Sequence, residues 1–253
     1  MPPDEFRRPS RVAVTVRPAG SALLRIGCNQ PLPPLIEERD GELLGFEPAL
    51  ARRLCATVGW TPRWCYHPFP DLPDALQAAS IDCIMWNLVK TPERAARFRL
   101  SRPYGGTDMA LMVRDQGPVR SLDDLSGRSV GAVRGTTNLA TARTLPGLAE
   151  VRVYDPGMKV LGMLVEDLLE GVIDAALDDA VPFRAIVRGN SALRIAATLP
   201  TANRYVVAFR LDDARRRDAI DGALATLIAT GELERLWLEH VDEPIPPDVL
   251  EGR

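Results

Sequence analysis

Arg94 ends the stretch "NLVKTPER", where Thr91 and Pro92 read as the start of a helix. A guanidinium in a first helical turn opposes the helix dipole. It is therefore either a solvated surface charge or the counter-charge to an anion held at that point. Gly135-Thr136-Thr137 opens a second strand-to-helix turn, and the free backbone N–H groups of such a turn suit a carboxylate. Asp178 and Asp179 follow a further apolar run. An arginine for a carboxylate and an aspartate for an ammonium together read a zwitterion. Phe69, Trp86, Asn87 and Asn29 stand just past other apolar runs and complete a small-molecule site with few polar anchors. Each has a plainer reading: Asp179, Thr136 and Thr137 as helix caps, Phe69 as core.

Covalent and cofactor chemistry find less support. His67 and His240 are the histidines, and no G-x-S-x-G elbow accompanies them. No phosphate loop, dinucleotide fingerprint or metal-ligand spacing is present, so no cofactor and no metal are expected. A formal net charge of −3 leaves no basic footprint for nucleic acid. No apolar run reaches the roughly 20 residues of a membrane span. Cys28, Cys55, Cys65 and Cys83 are spaced unlike zinc ligands and read as buried, reduced thiols. Residues 1–20 are rich in Arg and Pro, lack the apolar core of a secretory signal, and are expected to form a loose tail.

Strands and helices alternate to position these residues. "ALLRIGCN", "TPRWCYHPF" and "IDCIMWNLV" read as strands, and "EPALARRLCATVG" and "DLPDALQAAS" as the helices between them. The pattern recurs with strands "RSVGAV", "EVRVYD", "VIDAALDD" and "RYVVAFRL", and helices in "RGTTNLATARTL", "GMKVLGMLVEDLLEG" and "VPFRAIVRGN". A long helical segment interrupted at Gly231 follows, then a proline-rich arm over 244–253 expected on the surface. Alternation at this spacing argues for an α/β protein with doubly wound, mainly parallel sheets in two similar lobes. In such sheets ligands bind beyond the carboxyl ends of the strands, where the polar residues above stand.

Taken in order, "IGCNQPLPPL", "DGELLGFEPALARRL", "FPDLPDALQAASIDCIMWNLVKTPERAARFRLSRPY", "SLDDLSGRSVGAVRGTT", "GVIDAALDD" and "YVVAFR" resemble the bacterial extracellular solute-binding proteins that serve polar amino acid transporters. The resemblance implies the periplasmic-binding-protein clamp: lobe 1 from residues 21–104 and 207–243, lobe 2 from 109–203, hinge strands near 104–108 and 204–208. It implies a monomer in the periplasm that closes on an amino acid or other small carboxylate and docks on an ABC transporter permease. Arg94 then pairs with the ligand carboxylate, Thr136 and Thr137 add donors to it, Asp179 takes the ammonium, and Phe69 packs on the side chain. Asn29 replaces an acid common in binders of cationic amino acids. Leu32, Trp86 and Val89 also depart from the usual cage, with Trp86 partly filling the pocket. Two other readings share the fold. One is a cyclohexadienyl dehydratase-like enzyme using Asp178, Asp108 or His67; the other is a ligand sensor without a transporter.

Overall fold

The computed structural model describes residues 22–29, 31–157 and 159–251, so the expected tail over 1–20 lies outside the described residues. The chain begins with β1 (Ala22–Cys28), β2 (Glu37–Arg39), β3 (Glu42–Leu44), α1 (Phe46–Val58), β4 (Trp60–Tyr66) and α2 (Leu72–Gln77). It continues through β5 (Cys83–Ile84), α3 (Pro92–Arg97), β6 (Arg99–Leu100), β7 (Gly105–Arg114), β8 (Ser129–Val133), α4 (Thr137–Ala142) and β9 (Glu150–Tyr154). Then come α5 (Val160–Glu170), β10 (Ala175–Asp179), α6 (Ala180–Gly189), β11 (Leu193–Tyr205) and β12 (Ala208–Phe209). The helices α7 (Ala214–Ala229), α8 (Glu232–His240) and α9 (Pro247–Leu250) close it.

Two five-stranded sheets result, in the orders β4-β1-β5-β12-β6 and β11-β7-β10-β8-β9. Each has a parallel half, β4-β1-β5 and β10-β8-β9. The strands nearest the crossovers between sheets run antiparallel, which makes the sheets mixed rather than mainly parallel. The chain leaves the first sheet after Leu100 and returns at Ala208, so the second sheet is an insertion.

The second sheet is apolar on both faces. Met109, Leu111 and Val113 of β7 enter one cluster, and Ala110 and Met112 the other, as the period of two in a strand requires. In the first lobe Leu50 and Leu54 of α1 pack with β1, α7 and α8. Gly45 starts α1 at φ 96°, and a Cβ there would meet Pro34 O at 2.7 Å, so the turn needs glycine.

Three expectations are corrected. The apolar run 81–89 is a strand only at Cys83–Ile84, because Asn87 turns the chain at φ 37°. "RYVVAFRL" is not one strand: β11 ends at Tyr205 and β12 starts at Ala208. The arm beyond 243 is not superficial, since Ile245 and Val249 are 3% and 0% exposed in the same core as Trp237. Cys28, Cys55 and Cys83 are buried, Cys65 is half-buried, and all four are unpaired thiols. Among the described residues no helix is long and apolar enough to cross a membrane.

Candidate functional site

The loop after β5 and the start of α3 deliver Arg94 to the space between the lobes. Thr91 Oγ1 accepts from Arg94 N at 3.1 Å, the expected helix cap. Arg94 Nη1 donates to Val89 O at 2.6 Å, which aims the guanidinium along the loop. The side chain is half-buried and joins no ion pair among the described residues. Burial lowers its pKa, and the charges of Glu93 and Asp179 oppose that shift only in part. A partly desolvated cation without an ion-pair partner is a site for an anion.

From the other lobe, the turn between β8 and α4 faces it. Gly135 adopts φ 80°, and a Cβ added there would stand 3.6 Å from Phe69 Cε1, so the two lobes approach closely here. Thr136 is committed to the turn: its hydroxyl donates to Val133 O at 2.7 Å and accepts from Leu139 N at 3.1 Å. Thr137 follows it as the first residue of α4, and its backbone N–H begins the helix without an intrahelical partner.

The end of β10 supplies two acids. Asp179 is 2% exposed. Its Oδ2 accepts from Tyr205 OH at 2.9 Å and Asn87 Nδ2 at 3.1 Å, and its Oδ1 from Asn138 Nδ2 at 3.3 Å. Asp178 Oδ1 accepts from Asn138 Nδ2 and from Asp179 N, both at 2.7 Å. Burial and the neighbouring carboxylate push Asp178 up to about 7; burial also raises Asp179, against the hydrogen bonds from Tyr205, Asn87 and Asn138. The network runs on into lobe 1. Asn87 N donates to Glu47 Oε1 at 2.6 Å, and Tyr104 OH donates to the same oxygen at 2.5 Å. Tyr104 and Tyr205 stand at the two crossovers, so the acids are tied to the connections between the sheets.

Two adjoining cavities occupy the cleft. The inner one, ≈ 50 Å³, is lined by Asn87, Asn138, Asp178 and Asp179 with Leu32, Trp86 and Val89. The outer one, ≈ 730 Å³, adds Arg97, Arg134 and Gly135. Both share Phe69, Leu88, Arg94, Thr136 and Thr137. Phe69 and Trp86 lie with ring centroids 5.2 Å apart, so the indole fills part of the inner space.

The structure therefore brings together Arg94, Asp179, Thr136, Thr137, Phe69, Asn87 and Trp86. Asn29 stands apart: it is 0% exposed, with neither side-chain polar atom hydrogen-bonded, and does not line either cavity. Of the three groups named for an enzymatic reading, Asp178 lines the cavity while His67 and Asp108 do not. Asp108 Oδ1 instead accepts from Thr201 N at 2.9 Å. Sequence reasoning missed Asn138, although it stands directly after Gly135-Thr136-Thr137, and it missed Tyr205 and Glu47. Among the described residues no group of three or more His, Cys, Asp or Glu is placed to hold a metal.

The family model for bacterial extracellular solute-binding proteins, family 3, matches residues 24–242. The chain belongs to this family. Among its relatives, the histidine-binding periplasmic protein of Escherichia coli is 26% identical over 231 residues, covering 87% of each chain. The L-arginine-binding protein of Pseudomonas aeruginosa is 28% identical over 162 residues, 62% of this chain and 61% of that protein. Among solved structures, a mutant of the arginine-binding protein from T. maritima superposes with a TM-score of 0.77 at 25% identity, covering 87% of this chain and 95% of that one. The fold of this family 3 protein is accordingly the two-lobed periplasmic binding fold.

Proposed function

We propose that the protein closes on a small carboxylate-bearing solute, of the amino acid class, and presents it to an ABC-type importer outside the cytoplasmic membrane. The observation that carries this reading is Arg94: a half-buried guanidinium in no ion pair among the described residues, lodged between the lobes. The carboxylate is held by Arg94 and the turn at Gly135-Thr136-Thr137, with the acid pair supplying the opposite charge. Phe69 and Trp86 pack on the apolar part of the solute. Relatives that bind arginine and histidine support an amino acid as solute.

Lobe 1 is formed by residues 21–104 and 207–243 and lobe 2 by 109–203, with the connections at 104–108 and 204–208 as the hinge. Contacts with both lobes make the closed arrangement the favoured one when solute is bound. The protein acts as a monomer, binds without turnover, and docks its closed form on a membrane permease. A thermal-shift screen of the standard L-amino acids and small carboxylates tests the reading, because a solute bound only by the folded protein raises the unfolding midpoint. A raised midpoint with at least one such compound is expected; a midpoint unmoved by all of them contradicts it. Incubation with prephenate should leave its absorbance unchanged.

A further inference from the structure

The outer cavity is larger than the inner one and differently charged. The inner cavity of ≈ 50 Å³ has room for about one or two waters, so the body of a solute needs the ≈ 730 Å³ beyond it. Pro70 and Pro73 of lobe 1 and Pro156 of lobe 2 give that space rigid apolar walls, suited to a methylene chain. Asp178 and Asp179 line only the inner cavity. Among the described residues lining the outer one, Arg94, Arg97 and Arg134 are the cations and Glu93 is the carboxylate. A solute carboxylate at Arg94 answers one guanidinium and leaves two.

Arg97 stands three residues after Arg94 on α3, a spacing that puts both on one side of the helix. Like charges so placed repel, and neither joins an ion pair among the described residues. Arg97 instead has its guanidinium carbon 5.4 Å from the ring centre of Phe98, a buried residue of the same cavity wall. That contact keeps the cation at the cavity without neutralising it. Arg134 comes from the opposite lobe, just before Gly135. Its Nε donates to Asp155 Oδ1 at 2.5 Å, but the two side chains are 57% and 80% exposed. An exposed pair of that kind contributes little, so Arg134 is able to exchange Asp155 for a solute anion.

Resting on the reading of the cleft as a solute site, we propose that the solute carries a second anionic group, received by Arg97 and Arg134 in the outer cavity while Arg94 holds the first. A dianion relieves the repulsion between Arg94 and Arg97. It also draws on a cation from each lobe, so the second charge favours the closed arrangement as well as binding. Carboxylate and phosphoryl groups both match the guanidinium fork. The solute class is therefore an amino acid or small acid whose chain ends in one of these groups.

Calorimetric titration with probes of matched shape reads the second charge. The pairs are L-glutamate with L-glutamine, L-aspartate with L-asparagine, and glutarate with glutaramate; O-phospho-L-serine beside L-serine tests the phosphoryl group. Each exposed guanidinium contributes up to about fivefold, so wild type should bind the more charged member of at least one pair about tenfold tighter. Arg97→Gln combined with Arg134→Gln should bring that ratio close to one, with melting curves recorded to establish that the variant folds. Arg94→Ala should weaken both members of the pair. A preference for O-phospho-L-serine alone supports the second anion and identifies it as phosphoryl. Equal affinity within every pair overturns the proposal and leaves the reading of the cleft standing. A preference that persists undiminished in the double variant overturns the assignment to Arg97 and Arg134. Absence of binding by every probe overturns the proposal, and a blank thermal-shift screen as well overturns the reading of the cleft with it.

Discussion

Asn87 Nδ2 donates to Asp179 Oδ2 at 3.1 Å, joining the loop after β5 to the end of β10 on the opposite lobe. The same residue turns the chain at φ 37°, a region that asparagine tolerates better than most residues. Its backbone N–H reaches the buried Glu47, so one side chain and one amide connect the cleft to the core of lobe 1.

Asn87→Gly keeps the positive φ and deletes the contact across the cleft. A hydrogen bond to a charged acceptor contributes about 1.5–3 kcal/mol, so the closed arrangement should lose roughly that much relative to an open one. Small-angle scattering without added solute should give a larger radius of gyration for the variant, at a similar melting midpoint. Identical radii would show that this bond does not hold the lobes.

Glu47 is 0% exposed, and burial pushes its carboxyl up to about 7 against the hydrogen bonds from Tyr104 and Asn87. In the unfolded chain it titrates near the ordinary value of about 4.3. Between those values the folded protein holds a proton that the unfolded chain releases. Stability therefore falls as pH rises from roughly 4.5 to 7 and levels off above that. Asp178, pushed up to about 7 as well, acts in the same direction. Glu47→Gln retains an acceptor for Tyr104 and Asn87 and removes the titration. Urea unfolding from pH 5 to 8 should show a flatter profile for the variant, by on the order of 3 kcal/mol at most. An unchanged slope would place the titrating group elsewhere.

The C-terminal arm is structural. Ile245 and Val249 are buried with Trp237, whose Nε1 donates to Glu243 O at 2.8 Å. Arg204, at the end of β11, makes two bonds of 2.7 Å to the carboxylate of Asp248. Burying an aliphatic side chain contributes about 1.5–3 kcal/mol, so deleting residues 244–253 should lower unfolding free energy by about 3 kcal/mol or more. Urea titration of the shortened chain checks this; an unmoved midpoint would mean the arm only covers the surface.

The alternating elements were legible because helix and strand periods differ. In α1, Leu50, Leu54 and the stop at Gly59 recur as expected, with Gly59 left-handed at φ 73°. The pair β7–β11 was not, since β11 carries Pro200 and a register shift between Leu199 and Asn203, which interrupt the pattern of a regular strand. The run 81–89 misled for the opposite reason. Val89 and Leu88 are buried without a ladder, Val89 forming a lone bridge to Tyr205. Arg94 and the turn at Gly135 were readable from local helix-start signals. Asn138, Tyr205 and Glu47 were not, because what joins them to Asp179 and Asn87 is a set of contacts between residues 26 to 92 apart in the chain, which no local pattern marks.

The proposed contact between Arg94 and the carboxylate of the solute is tested most directly by calorimetry. Wild type and Arg94→Ala should be titrated with the amino acid that gives the largest thermal shift, after both are shown to melt cooperatively without it. Truncating one partner of a buried charge pair costs about 2–5 kcal/mol, so binding to Arg94→Ala should weaken by that amount while its melting midpoint stays close to that of wild type. Affinity undiminished in Arg94→Ala would contradict the account.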